Sequence, residues 1–357
     1  MTTLTVPARP EQDASLQPVP WRRMAWVTWR QHRAALTGVA ALLGGLAAYL
    51  WLAGRTVHHA YAATIACHPS GSVACTNLRS DFTSTYDHTA TLIPALLHVV
   101  PALIGAFVGA PVLARELETG TFRYAWTQGF GRWRWALAKL IPLAVVVAVA
   151  AGVFSLVYSW YYRPFIADGQ AGPLAGIVFD LRGITFAAWT MTAFAIGALA
   201  GILIRRVVPA IVATLAAYAG LAVAAGVFLR QHYLTPLVTS NLNLPAHAWI
   251  MSQWWTKGGT FAFSGRPSIS LLNQFCPPSA VRAGNPSPGP LAVLTPTKVA
   301  KATLDQCLTT QHGYTQWTRY QPASRFWPFQ FIEGGWLLVL SVILIGLAVW
   351  LVRRRAA

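Results

Sequence analysis

The sequence predicts an all-α integral membrane protein of six transmembrane helices, with an N-terminal interfacial helix and a large extracytoplasmic loop before the sixth span. Three observations carry that expectation. Of 357 residues, 55% are hydrophobic and only 10% charged, against about 25% charged in a soluble domain, and the mean hydropathy is +0.47. Apolar runs at 34–52, 91–113, 140–161, 184–204, 207–229 and 335–351 match the roughly 20 residues that a helix needs to cross about 30 Å of hydrocarbon. No train of alternating ten-residue segments recurs, and lipid admits only helices or closed barrels, because backbone polar groups find no water there.

Orientation follows from the basic residues, which stay cytoplasmic when they lie in short loops. With the N-terminus inside, residues 1–33 hold five Lys or Arg, 115–139 another five, the 205–206 link two and 353–355 three. The two short outer loops hold only Arg55, Arg79, Arg163 and Arg182. Both termini are therefore expected in the cytoplasm, and the chain in the cytoplasmic membrane. The formal net charge of +17 then reflects topology and lipid headgroups, not nucleic acid.

In chain order, residues 1–20 are Pro-rich and polar, without apolar periodicity, and read as a disordered cytoplasmic tail. Residues 21–33 mix Trp and Arg as an interfacial helix does, with Trp26, Trp29, Arg30 and Arg33 at the inner leaflet. Spans one to five occupy 34–228. The first outer loop carries His58, His59, Cys67, His68 and Cys75 without a standard zinc spacing, so no metal is expected. On that oxidising side a local Cys67–Cys75 disulfide is the expectation.

The second span combines Pro94, His98 and Pro101 with Gly105 and Gly109. Small residues four apart let helix backbones approach closely. His98 is the one ionisable side chain deep within these runs. It is either a functional group or a neutral imidazole bonded to a neighbouring helix. No Asp or Glu falls within the six runs, which argues against ion coupling and places the energy source elsewhere.

Between spans two and three, residues 114–139 form a cytoplasmic loop holding two of the chain's ten acids. Arg115, Glu116, Leu117 and Glu118 are expected on a short helix that Gly120 ends, with both acids turned toward a partner protein. Gly197 and Gly201 repeat the small-residue spacing in span four. Only Arg205 and Arg206 then separate it from span five, where Pro209 occupies the first turn. Either glycine pair serves intramolecular packing or a subunit interface. Residues 229–334 form the extracytoplasmic loop domain, with a Pro-, Gly- and Ser-rich middle, Cys276 and Cys307 as a second disulfide, and an aromatic end at 320–333 suited to dipping into the outer interface. Residues 335–357 are the sixth span and a basic tail.

Chemistry of its own is missing. The chain has no G-x-x-x-x-G-K-[ST] phosphate loop, no H-E-x-x-H, no G-x-S-x-G and no dinucleotide fingerprint. No catalytic residue and no cofactor are assigned.

The chain resembles the membrane subunits of type-2 ATP-binding-cassette (ABC) exporters. The resemblance rests on Trp29-Arg30-Gln31-His32-Arg33, on Ala114-Arg115-Glu116-Leu117-Glu118-Thr119-Gly120-Thr121 with Ala125-Trp126-Thr127-Gln128, and on 201–209. It continues through Arg230-Gln231-His232-Tyr233 to Pro236, and through Arg325-Phe326-Trp327-Pro328-Phe329-Gln330 to Glu333. It implies a permease that forms half of a dimeric pore, with itself or with a second permease, and that exports a hydrophobic or amphipathic substrate. It also implies a separate ABC-type ATPase that receives the loop between spans two and three. Two other classes are open: a non-transporting protein of envelope assembly or immunity, and a membrane-embedded enzyme using His98, His232, His247 and His312.

Overall fold

In a computed structural model, the described residues are 21–120, 132–241, 244–265, 308–309 and 313–355. The tail at 1–20, the motif at 121–128, and Cys276 and Cys307 lie outside them.

Six helices are long and apolar enough to cross a membrane: Arg33–Ala66, Val73–Thr119, Trp133–Tyr161, Thr185–Ile204, Val207–His232 and Ala323–Arg354. Span one is part of a single helix, α1 (Trp21–Ala66). The segment 21–33, expected as a separate interfacial helix, is thus continuous with span one, since nothing in this sequence breaks a helix there. Trp26 and Trp29 are exposed on it, and the Arg30 guanidinium lies 5.1 Å from the Trp26 ring centroid.

Span two is built of α2 (Val73–Leu97), α3 (Val99–Ile104), a π-turn (Gly105–Gly109) and α4 (Ala110–Thr119). It begins well before the apolar run, because residues 73–90 are polar yet helical. The first outer loop is accordingly a turn between two helices, and Cys67 and Cys75 are bonded across it. His58 stacks on Trp160 at 4.5 Å, with Nε2 3.0 Å from the Trp160 carbonyl oxygen.

Span three is α5 (Arg132–Tyr161), followed by the short helices α6 (Arg163–Asp168) and α7 (Gly176–Phe179). Arg79 of α2 ties α6 down, its Nε donating to Asp168 Oδ1 at 2.8 Å. Spans four and five are α8 (Thr185–Ile204) and α9 (Val207–Val223), the latter extended by a second π-turn (Ala224–Leu229) and a 3-10 turn (Arg230–His232). Arg205 supplies the left-handed residue of their hairpin, at φ 57°.

The segment between spans five and six folds further than the sequence reading expected. It contains β1 (Leu237–Thr239), β2 (Trp249–Lys257), β3 (Thr260–Ser264) and β4 (Tyr314–Gln321), an antiparallel sheet in the order β1-β4-β2-β3. A 3-10 turn (Ala323–Arg325) then leads into α10 (Phe326–Arg355). The aromatic residues 326–333, expected to dip into the interface from a loop, are therefore the first turns of the sixth helix.

The bundle is centred on α8, which packs against α3, the first π-turn, α4, α5, α9 and α10. Both glycine pairs are spent on that packing. A Cβ on Gly105 would stand 2.5 Å from the Ala193 carbonyl oxygen, and one on Gly197 would collide with the Gly105 carbonyl oxygen. Thr192 on α8 joins α10 through the Leu337 carbonyl (3.1 Å) and the Ser341 hydroxyl (3.0 Å).

Candidate functional site

Helix length decides which side chains meet. At about 1.5 Å per residue, His98 stands ~30 Å from Thr119, Arg230 ~35 Å from Val207 and Glu333 ~30 Å from Arg353. All three reach one level, at the end of the bundle where the sheet sits. His98, expected deep in span two, sits at the α2–α3 junction, about midway along the Val73–Thr119 helix. The same extension brings Glu333 into the sixth helix, so the expected absence of acids from the spans does not hold.

At this level Glu333, with no exposed surface, accepts from Arg230 through Nε at 3.0 Å and Nη2 at 2.7 Å, and from the Trp189 indole N–H at 3.1 Å. Arg230 Nη2 also donates to Asp180. The guanidinium stacks 4.7 Å from the Phe179 ring centroid. A buried ion pair is retained only where such bonds satisfy the desolvated groups, and here both Glu333 oxygens are taken.

Asp180 lies on the α7–α8 loop, which is pinned on both sides. The Gln330 side-chain amide donates to the Phe179 carbonyl at 3.1 Å, and its oxygen accepts from Thr185 N–H at 3.1 Å. Ser155 on α5 donates to the Leu181 and Gly183 carbonyls at 3.2 and 2.8 Å. Burial works against the charged Asp180 carboxylate, but the His98 hydrogen bond and the Arg230 charge outweigh it, holding the carboxyl below its ordinary value of 3.8. His98 Nδ1 stands 2.7 Å from the Pro94 carbonyl oxygen, and Nε2 stands 3.7 Å from Asp180 Oδ2. Beside this pair opens a cleft of about 70 Å³, walled by Phe186, Trp189 and Tyr218. The sheet roofs the region. Gln321 of β4 donates to the Leu234 carbonyl at 2.7 Å, and Trp249 of β2 meets the Phe329 ring edge-on at 6.3 Å.

Among the residues of this cluster, the sequence reading singled out only His98 as a site. Arg230 and Glu333 carried the family resemblance without a role, and Asp180 and Trp189 were missed. The available signal was position: Arg230 closes one apolar run and Glu333 precedes another, as buried charges at helix ends do.

At the opposite end, α4 runs to Gly120, whose φ of 72° ends the helix as its missing Cβ permits. Glu116 and Glu118, expected to face a partner, are both engaged within the chain. Glu116 pairs with Lys139 of α5, and Glu118 accepts from the Val207 backbone N–H at 3.1 Å, capping α9. The reason is proximity: α4, α5 and α9 converge here, with free helix N–H groups and a buried ammonium both requiring acceptors. Leu117 packs against the core, while Arg115 is exposed.

A family model described as "ABC-2 membrane transporter related" matches residues 40–230. The chain belongs to that family. The match runs from within span one to Arg230 near the end of span five, leaving the sheet and sixth helix of this ABC-2 permease outside it. Comparison with curated proteins and with solved structures gives no match. Membership makes the chain an ABC-transporter permease and implies an ATPase partner, which accords with the missing phosphate loop.

Proposed function

We propose that this permease is the membrane half of an exporter for a hydrophobic or amphipathic substrate, driven by ATP that a separate subunit hydrolyses against the α4 end of the bundle. One observation carries the reading: the two acids of α4 do not float in solvent but join it to spans three and five. A displacement of α4 is therefore shared by the Glu116–Lys139 pair with α5 and by the Glu118 cap with α9. The exposed side of the same turn, including Arg115, is the surface left for the ATPase. Two such subunits, identical or different, would complete the pathway, and the Lys and Arg distribution supports cytoplasmic termini in the cytoplasmic membrane.

The test separates docking from transmission. Arg115→Glu should leave the thermal midpoint of the purified permease unchanged while abolishing co-purification of the ATPase. The double variant Glu116→Ala, Glu118→Ala should keep the ATPase bound but lose substrate-stimulated hydrolysis. Tagged permease that brings down no ATPase from native membranes would defeat the proposal.

A further inference from the structure

His98 stands where span two is interrupted. It closes α2 and opens α3, between Pro94 and Pro101, and its ring reaches Asp180 on the α7–α8 loop, with Nε2 3.7 Å from Oδ2. Asp180 is shared with Arg230, which also holds Glu333. With the ring protonated, two carboxylates face one guanidinium and one imidazolium, and the set is neutral. The other ring nitrogen fixes what happens when that charge is lost. A carbonyl oxygen only accepts, so Nδ1, 2.7 Å from the Pro94 oxygen, keeps its hydrogen in either state, and the proton that comes and goes is the one on Nε2. Its loss does more than remove an attraction. A bare nitrogen lone pair then faces a carboxylate oxygen, and the set carries an unpaired negative charge. Imidazole is the side chain whose charge changes near neutral pH, at ~6.5 when unperturbed.

We propose that His98 is a pH-sensitive latch between span two and the α7–α8 loop, closed while Nε2 is protonated and released when it is not. The cleft of about 70 Å³ lies between the parts that the latch joins: His98 and Pro101 come from span two, Asp180 and Leu181 from the loop, Tyr218 and Ala222 from span five. Release lets the α2–α3 junction part from the loop, so the cleft widens and admits water to the freed carboxylate and ring. Span two is the side that yields. Pro94 and Pro101 each lack the N–H of a helix rung, about one turn before and one turn after His98, whereas the loop is pinned by Gln330 and Ser155. Of the charged and titratable groups around the ring, Asp180 is held in its charged form, and Arg230 and Tyr218 keep their protons at neutral pH. Glu333 is tied to Arg230 and the Trp189 indole. Arg182, on the same loop, turns to the Phe326 ring, 4.9 Å away. The latch does not rest on the permease reading; a place for the widened cleft in the transport path does.

Hydrogen exchange on the full chain in nanodiscs reads the latch directly, as protection factors corrected for intrinsic exchange between about pH 5.5 and pH 8.5, either side of the imidazole range. As pH rises, wild-type peptides over the α2–α3 junction should lose protection about tenfold, as a locally released unit does, while the middle of α8 keeps its own. His98→Gln, which cannot change charge, should flatten that profile. Asp180→Asn should flatten it too; because this variant also takes an acceptor from Arg230, its slope with pH is compared and not its level. A wild-type junction whose protection does not change with pH overturns the proposal without recourse to any variant. A profile that His98→Gln preserves also overturns it and assigns the titration to Glu333. Equal loss of protection in α8 means that the whole bundle loosens, and the latch fails on that result as well.

Discussion

Glu333 and Arg230 give the sharpest test of the buried cluster. Replacing Glu333 by Gln keeps the volume and one acceptor but removes the charge that receives two guanidinium bonds and an indole N–H. Arg230 keeps Asp180, so the remaining pair is neutral and the loss is that of charge-assisted bonds, about 1.5–3 kcal/mol. Replacing Arg230 by Met strands two carboxylates against each other without their shared guanidinium, and breaking a buried pair in this way costs about 3–5 kcal/mol. At roughly 2–4 °C per kcal/mol, Glu333→Gln should lower the thermal midpoint by about 3–12 °C and Arg230→Met by about 6–20 °C. Fluorescence-detected size exclusion after a heating series, in one detergent and at fixed protein concentration, reads both. The double variant should recover part of the Arg230→Met loss, because it removes one stranded charge. If Glu333→Gln proves as damaging as Arg230→Met, or the double variant is additive, the charge bookkeeping of the cluster is wrong.

Two further outcomes follow from the same geometry. Gly197→Ala should destabilise by about 1–3 kcal/mol through overpacking, whereas Gly220→Ala, with no neighbour within 4 Å of its added Cβ, should be neutral or mildly stabilising in a helix; equal midpoints for the two variants would contradict the close approach of α8 to the first π-turn and α4. The Asp180 carboxyl is held below its ordinary 3.8, so its stabilising contribution is complete above that pH and is lost as pH falls through the lower folded-state value. Relative to wild type, Asp180→Asn should therefore show a flatter decline of midpoint below about pH 4, and parallel curves would rule that contribution out.

The six helices were legible because the bilayer fixes how long an apolar run must be. Their ends were not, because an apolar run stops where polar side chains begin while the helix continues, as in residues 73–90 and 326–334. That error hid the site. Glu333 was read as loop, and Arg230 and Asp180 find it only across 103 and, from Arg230 to Asp180, 50 residues of sequence, which no local pattern records. The glycine pairs were legible as close-approach positions, yet only the fold shows that they meet each other. The sheet carried a local signal that was passed over. Gly258 and Gly259 join two aromatic-rich strands as a tight hairpin. For Glu116 and Glu118 the sequence supplied the acids but not the neighbours, since Lys139 and the Val207 N–H arrive from other helices.

The π-turn at Ala224–Leu229 ends where Arg230 begins. A wide turn holds one residue more than an α-turn, and one residue is about 100° of azimuth around a helix. Without the extra residue, Arg230 would swing by more than a quarter revolution and point its guanidinium away from Glu333. The compass bearing of the one guanidinium in the cluster is therefore set by an irregularity in hydrogen-bond counting just below it, and a single-residue deletion within 224–229 would misdirect that charge without touching any residue it contacts.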